Sequence, residues 1–303
     1  MKISVIGLGY VGLPTMLLLS KSKHKIYGYD TNFKLIENLK NGKYVNQFHL
    51  ESNISSLYKK QLSNKKLNFD TKLNISEVYI ICVPTPVNKK YKADTSYVDS
   101  VIKNISKLLK EEDLIIIEST LPIKYSKNAY KKLKKIHKNI NFYLSYCPER
   151  VLPGNTLKEL ENNNRVIGGI CIDSTIKSEK IYKLFVKGKI YKTSTSVSEF
   201  TKLAENAYRD INIAYSNELS ILCKINNVDY KQVIKYANMH PRVNILNPGI
   251  GVGGHCIPVD PWFLIENYNK DFSIIKNSRK VNKDKTLFIC DIIIKEIKKI
   301  NSI

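Results

Sequence analysis

No apolar run in these 303 residues reaches the roughly 18 needed to cross a bilayer, so no transmembrane helix is expected. No leader precedes the first strand-like run, Lys2–Ile6, so no signal peptide is expected and the cytoplasm is the default compartment. The C-x-x-C spacing is also missing. Six cysteines (Cys82, Cys147, Cys171, Cys223, Cys256 and Cys290) stand far apart, which excludes the common zinc frameworks and argues against a disulfide scaffold. Of these, Cys82, Cys223 and Cys290 fall in apolar strand-like or helical patterns and read as small core residues. Proline is scarce, and there is no internal repeat, long linker or low-complexity tract beyond short lysine runs; disordered and fibrous classes are set aside. Acidic residues are few, 27 against 49 Lys and Arg, giving a net charge of +22. A surface this basic attracts polyanions, so nucleic acid has to be weighed. The lysines are scattered, however, and no nucleic-acid motif accompanies them. The tightest cluster, Lys131, Lys132, Lys134, Lys135 and Lys138, alternates with Leu133 and Ile136 as the solvated face of an amphipathic helix does. No nucleic-acid and no membrane partner is expected.

What is present is a strand–helix alternation over residues 1–195. Strand candidates are Lys2–Ile6, Lys25–Tyr29, Val78–Val83, Leu114–Glu118, Phe142–Tyr146, Val166–Ile170 and Ile190–Thr193, with helical patterns between them. This predicts an α/β fold, a Rossmann-like doubly wound parallel sheet with helices on both faces. From Ser196 the chain turns helical. Residues 196–226 carry neither Gly nor Pro and place Leu203, Ala207, Ile211, Ala214 and Leu219 at helical spacing. Residues 196–303 are therefore predicted as an all-helical second domain, interrupted by a glycine-rich loop at 247–260.

Gly7-Leu8-Gly9-Tyr10-Val11-Gly12 follows the first strand directly and opens a helix, and the second strand ends at Asp30. In that context the glycines permit a tight turn, let backbone approach a pyrophosphate and allow close helix–strand packing. The pyrophosphate then meets free N–H groups at a helix N-terminus. Asp30 accepts from ribose hydroxyls and repels a 2′-phosphate, so NAD is expected over NADP. Thr85 and Thr120, each beside a proline, close two further strands at the ends where open α/β sheets bind ligands.

The segment 248–260 holds four glycines within six residues, Gly249, Gly251, Gly253 and Gly254, followed by His255, Cys256 and Asp260. Exposed N–H groups in such a loop form an anion nest, and a thiol there is a candidate nucleophile. Asp260 is placed to orient the thiol's partners; His255 alone is more often ordinary surface. Lys202 and Asn206, four apart, share a helix face and together supply a cation and an amide to an oxyanion, although such a pair is otherwise plain solvated surface. From the residues alone, three readings stand: a four-electron dehydrogenase using Cys256, a two-electron hydroxyacid dehydrogenase without need of it, and a non-catalytic NAD-binding protein.

Taken in order, GLGYVGLP, VPTP, ESTLP, CPERVLPG, FTKLAENAYRDINIAYSNEL and GVGGHCIPVDPWF resemble the family of UDP-glucose, GDP-mannose and UDP-N-acetylmannosamine dehydrogenases across essentially the whole chain. The resemblance implies NAD as cofactor, held at Gly7, Gly9, Tyr10, Val11, Gly12, Asp30, Thr85 and Thr120. It implies Cys256 as nucleophile, Lys202, Asn206 and Asp260 around the reacting C6 oxygen, and Thr120 and Glu149 in water activation. It implies a UDP-sugar contacted by Arg150, Val151, Lys202, Asn206, Arg209 and Gly253, with Arg242 reaching it from a neighbouring subunit of a homodimer. CPERVLPG and HPRVNILNPGIGVGGHC fit the branch acting on UDP-N-acetylhexosamines, UDP-N-acetylmannosamine first. Pro153 stands where the UDP-glucose and GDP-mannose enzymes carry a second glutamate, which weakens a UDP-glucose assignment. Family members also run longer, into a C-terminal domain that binds much of the nucleotide; the resemblance implies that this domain lies beyond the chain.

Overall fold

The computed structural model describes residues 1–43, 51–151, 154–268 and 270–300. By internal contacts the chain divides into two units, Met1–Asn88 with Ala93–Lys202, and Lys89–Lys92 with Leu203–Ile303.

The first unit is an eight-stranded sheet. Its strands are β1 (Lys2–Ile6), β2 (Lys25–Tyr29), β3 (Leu67–Asp70), β4 (Val78–Ile81), β5 (Leu114–Ile117), β6 (Tyr143–Tyr146), β7 (Arg165–Gly169) and β8 (Ile190–Ser194). They lie in the order β3-β2-β1-β4-β5-β6-β7-β8. The chain builds outward from β1 in both directions, so the point where the order reverses falls beside β1, where doubly wound sheets open a ligand crevice. Register aligns Ile6 with both Tyr29 and Ile81, and Ile117 with Tyr146. The carboxyl ends of β1, β2, β4, β5 and β6 therefore form one edge. Side chains alternate across the sheet with period two. Ile3, Val5, Ile80 and Ile116 enter one core with α1 (Gly12–Leu19); Ile6, Tyr79, Ile81, Ile115 and Ile117 enter the other with α4 (Ser96–Ser106) and α5 (Tyr125–Ile136).

The expected sheet needs three corrections. β4 and β5 stop at Ile81 and Ile117, so Cys82 and Glu118 open the edge loops instead of ending strands. β3 lies at the sheet's edge with only Leu67 and Phe69 facing inward, too short an apolar pattern to be seen in sequence. Most consequentially, β7 runs antiparallel to β6. A parallel neighbour needs a crossover that returns the chain to the opposite edge. Here the connection carries only the short α6 (Thr156–Asn162), and β7 starts at the edge where β6 ends.

The remaining helices of this unit are α2 (Phe33–Lys40), α3 (Ser52–Ser63) and α7 (Ile172–Tyr182). In α5 the lysines are solvated and Leu133 is buried, but Ile136 is exposed, contrary to the expected stripe. α8 (Thr195–Ile225) begins in this unit. Its fully buried Glu199 accepts from the backbone N–H groups of Lys124 (2.7 Å) and Ser126 (2.9 Å), capping α5 and fixing where α8 starts.

The second unit holds the rest of α8, then α9 (Tyr230–Ala237), α10 (Asp260–Ile265) and α11 (Ser273–Ile300). α8 meets α11 through polar side chains as much as apolar ones. Asn282 donates to Asp210 Oδ1 (2.7 Å), Asn217 donates to Asn282 (2.9 Å), and Lys285 donates to Ser220 (2.6 Å). Cys223 is buried as expected, whereas Cys290 is exposed, because the outer face of α11 leaves apolar residues such as Leu287, Ile293 and Ile297 in solvent too. Among the described residues, no helix is long and apolar enough to cross a membrane.

Candidate active site

The first unit assembles one constellation at its carboxyl edge. Gly7 (φ +88°) turns the chain out of β1, and its N–H donates to Tyr29 O at 2.9 Å. A Cβ on Gly12 would stand 1.8 Å from Gly7 O, so only glycine lets α1 start this close to the strand. At Gly9 a Cβ would meet nothing within 4 Å: backbone there faces open space at a helix N-terminus, the surface a pyrophosphate needs. Val11 is the residue before α1. Asp30 accepts from Leu8 N and Asn32 N, both at 2.9 Å, so it holds the glycine loop. Each carboxylate oxygen keeps a lone pair for a ligand hydroxyl. Thr85 donates to Thr120 O at 2.7 Å and links the loops after β4 and β5.

Tyr10 leads to a residue that sequence reasoning missed. Buried Glu51 accepts from Gly154 N (2.9 Å), Thr156 N (2.8 Å) and Thr156 Oγ1 (2.7 Å), and Tyr10 donates to it at 3.3 Å. That carboxylate joins the glycine loop to the N-terminus of α6. No local pattern marks it, since its partners lie 41 to 105 residues away.

Glu149 sits in a buried charge cluster that was equally invisible. Its Oε2 pairs with Arg165 Nη2 at 2.6 Å, and Oε1 accepts from Arg150 N at 2.7 Å. Its carbonyl accepts from Lys202 Nζ at 2.7 Å, so two predicted site residues meet. Behind Arg165 lies buried Glu118, 3.6 Å from Nη1, receiving hydrogen bonds from Tyr182 (2.6 Å) and Cys82 (3.2 Å). Burial raises the Glu118 carboxyl above the usual range; Arg165 opposes this and the Glu149 charge adds to it. Burial likewise pushes the Cys82 and Cys147 thiols up, which makes them poor nucleophiles. Arg150 turns its guanidinium onto Asn164 O. Val151 is half-buried, and Pro153 lies outside the described residues.

The second unit assembles the other constellation. Asn206, one turn beyond Lys202 along α8, donates to Asp260 Oδ2 at 2.6 Å, and both are buried. Cys256 O accepts from Val259 N (3.0 Å) and Asp260 N (2.9 Å), which starts α10 and leaves Cys256 one turn from Asp260. The loop is fixed at its start. Gly249 N donates to Asn217 (2.9 Å), and Thr286 donates to Ile250 O (3.1 Å). Its tip, Gly253–Cys256, is exposed, with Gly254 at φ +89°. Arg209, Arg242 and His255 are exposed.

Two family models match the chain: the NAD binding domain of the UDP-glucose/GDP-mannose dehydrogenase family over residues 1–186, and its central domain over 196–284. A UDP-N-acetyl-D-mannosamine dehydrogenase of Methanococcus maripaludis is 44% identical over 99% of this chain and 69% of its own length. The structure of a UDP-N-acetylmannosamine dehydrogenase from Pyrococcus horikoshii superposes with a TM-score of 0.93 at 37% identity, covering 99% of this chain and 72% of that one. One from Staphylococcus aureus gives 0.91 at 37% identity, covering 99% and 71%.

Proposed function

The chain belongs to the UDP-glucose/GDP-mannose dehydrogenase family, and from that premise we propose that it oxidises the C6 hydroxyl of UDP-N-acetylmannosamine to the uronate through a Cys256 thioester. Membership makes it an NAD-dependent nucleotide-sugar dehydrogenase. The open backbone at Gly9 and the carboxylate of Asp30 fit the dinucleotide. NAD supplies a hydride acceptor, once for each of the two oxidations.

The observation that carries the thioester reading is the Asn206–Asp260 pair one turn from an exposed cysteine. In this reading Lys202 and Asn206 donate to the C6 oxygen as it takes up negative charge. The Cys256 thiolate adds to the first-formed aldehyde and gives a thiohemiacetal. Loss of a second hydride leaves a thioester, which water cleaves with help from Glu149 and Thr120. Asp260 fixes the Asn206 amide so that its second N–H remains for substrate. Arg150, Val151, Arg209 and Gly253 are assigned to the sugar nucleotide.

Relatives named UDP-N-acetyl-D-mannosamine dehydrogenase at 37 to 44% identity support that substrate. Comparing kcat/KM for UDP-N-acetylmannosamine, UDP-N-acetylglucosamine and UDP-glucose tests the choice, with the first expected to lead. UDP-glucose ahead by tenfold, about 1.4 kcal/mol in transition-state binding, overturns it. A homodimer in the cytoplasm completes the proposal. Exposed Tyr208, Tyr215 and Leu222 recur every seventh residue along α8 and offer a self-complementary seam, across which Arg242 is assigned to the partner's substrate. Light scattering at micromolar concentration decides between dimer and monomer.

A further inference from the structure

We propose that Arg165 is a positioning residue for the oxidation: it holds the Glu149 carboxylate and, through the adjoining backbone, the carbonyl that seats Lys202. The inference rests on the roles given above to Glu149 and Lys202.

Three observations carry it. The first is topological. β7 runs antiparallel to β6, pairing Tyr146 with Gly168. Its first residue, Arg165, therefore lies at the carboxyl edge, beyond the end of β6, where Glu149 also lies. In a parallel β7 that first residue would stand at the opposite edge. The second is the direction of the side chain. The guanidinium lies 4.6 Å over the Tyr182 ring, and Nη1 faces Glu118 at 3.6 Å with no hydrogen-bond partner among the described residues. Its short, well-made contact is the one to Glu149, at 2.6 Å. Glu118, held by Tyr182 and Cys82, braces the arginine from behind.

The third is what Glu149 does with its remaining groups. Oε1 takes the N–H of Arg150, and the carbonyl takes the ammonium of Lys202. Freeing the carboxylate thus loosens the peptide on which Lys202 rests. Desolvating three charges is costly, and apolar side chains of the same volume would stabilise a core at least as well. A planar fork matches a carboxylate in a way that a lysine cannot. The arrangement makes sense as a device for geometry.

The test compares Arg165→Lys and Arg165→Met with the parent, reading kcat, KM for the UDP-sugar and NAD affinity by calorimetry. NAD Kd should stay within about twofold in both variants, since the glycine loop and Asp30 do not touch Arg165. The expected fall in kcat is at least 100-fold for Arg165→Met, with Arg165→Lys recovering at least tenfold of it and KM little changed. Added to Glu149→Gln, Arg165→Met should cause no further loss, because the arginine acts through that carboxylate. Should Arg165→Met fail to bind NAD, Arg165→Lys alone decides, with a tenfold lower kcat expected. A kcat within threefold of the parent in an Arg165→Met protein that binds NAD, or in Arg165→Lys where it alone decides, overturns the proposal, as does full additivity with Glu149→Gln. Turnover that is insensitive to Arg165 contradicts this inference alone. A parent that oxidises none of the three UDP-sugars contradicts the proposed function first.

Discussion

Asn206 donates its side-chain amide to Asp260 Oδ2 at 2.6 Å, joining the long helix to the first residue of α10, which Cys256 O caps. An amide held this way has its free N–H aimed without rotamer searching, the preorganisation that oxyanion stabilisation requires. Asn206→Ala should lower kcat by about 10²-fold, the usual loss for one such donor, with a smaller effect on KM. Steady-state kinetics with the UDP-sugar checks this. A kcat within threefold of the parent would remove Asn206 from the oxyanion role.

Asp30 holds the glycine loop and, in the proposed function, meets the ribose; two substitutions separate these tasks. Asp30→Asn keeps an acceptor for a loop N–H while removing the charge that repels a 2′-phosphate, so the preference for NAD over NADP should narrow with modest loss of NAD affinity. Asp30→Ala also leaves Leu8 N and Asn32 N without their acceptor, so NAD affinity itself should fall. Titration of both dinucleotides against each variant reads the two effects. An Asp30→Asn protein that discriminates as strongly as the parent would move the ribose contact elsewhere.

The cysteine loop is anchored from the helix pair below it. Asn282 bridges Asp210 and Asn217, and Asn217 takes the N–H of Gly249. Asn282→Leu leaves the Asn217 amide N–H without its acceptor and Asp210 paired with Arg279 alone, and should destabilise the protein by about 1–3 kcal/mol in denaturant titration. A change below about 0.5 kcal/mol would show that the network is replaceable.

The parts of this molecule legible in sequence are those with a local signature. Seven of the strands carry a short strand-like pattern, the turn from β1 into α1 carries its glycines, and α8 carries an uninterrupted helical pattern. The candidate residues Thr85, Thr120, Glu149, Lys202, Asn206, Asp260 and Cys256 were reachable because each lies in a motif string. Glu51 and Arg165 lie in none, and the role of Glu118, although it opens ESTLP, has no local signature. Each is buried and matters through partners that the fold brings from far along the chain, such as Tyr182, 64 residues from Glu118. The apolar stripe read along α8 was similarly incomplete: Leu203, Ala207 and Ala214 are buried, but so are Asp210, Asn217 and Ser220, whose side chains bond to residues of α11. The reversal of β7 escaped for the same reason, since strand direction leaves no trace in periodicity.

The thioester is the central claim, and the yield of NADH per sugar tests it most directly. With limiting UDP-N-acetylmannosamine and excess NAD, the account predicts two NADH per sugar and a uronate as the sole oxidised product by mass spectrometry. Cys256→Ala should form no uronate while binding NAD as the parent does, because Gly7, Gly9, Gly12 and Asp30 are untouched. One NADH per sugar with free aldehyde, or undiminished uronate from Cys256→Ala, would contradict the account.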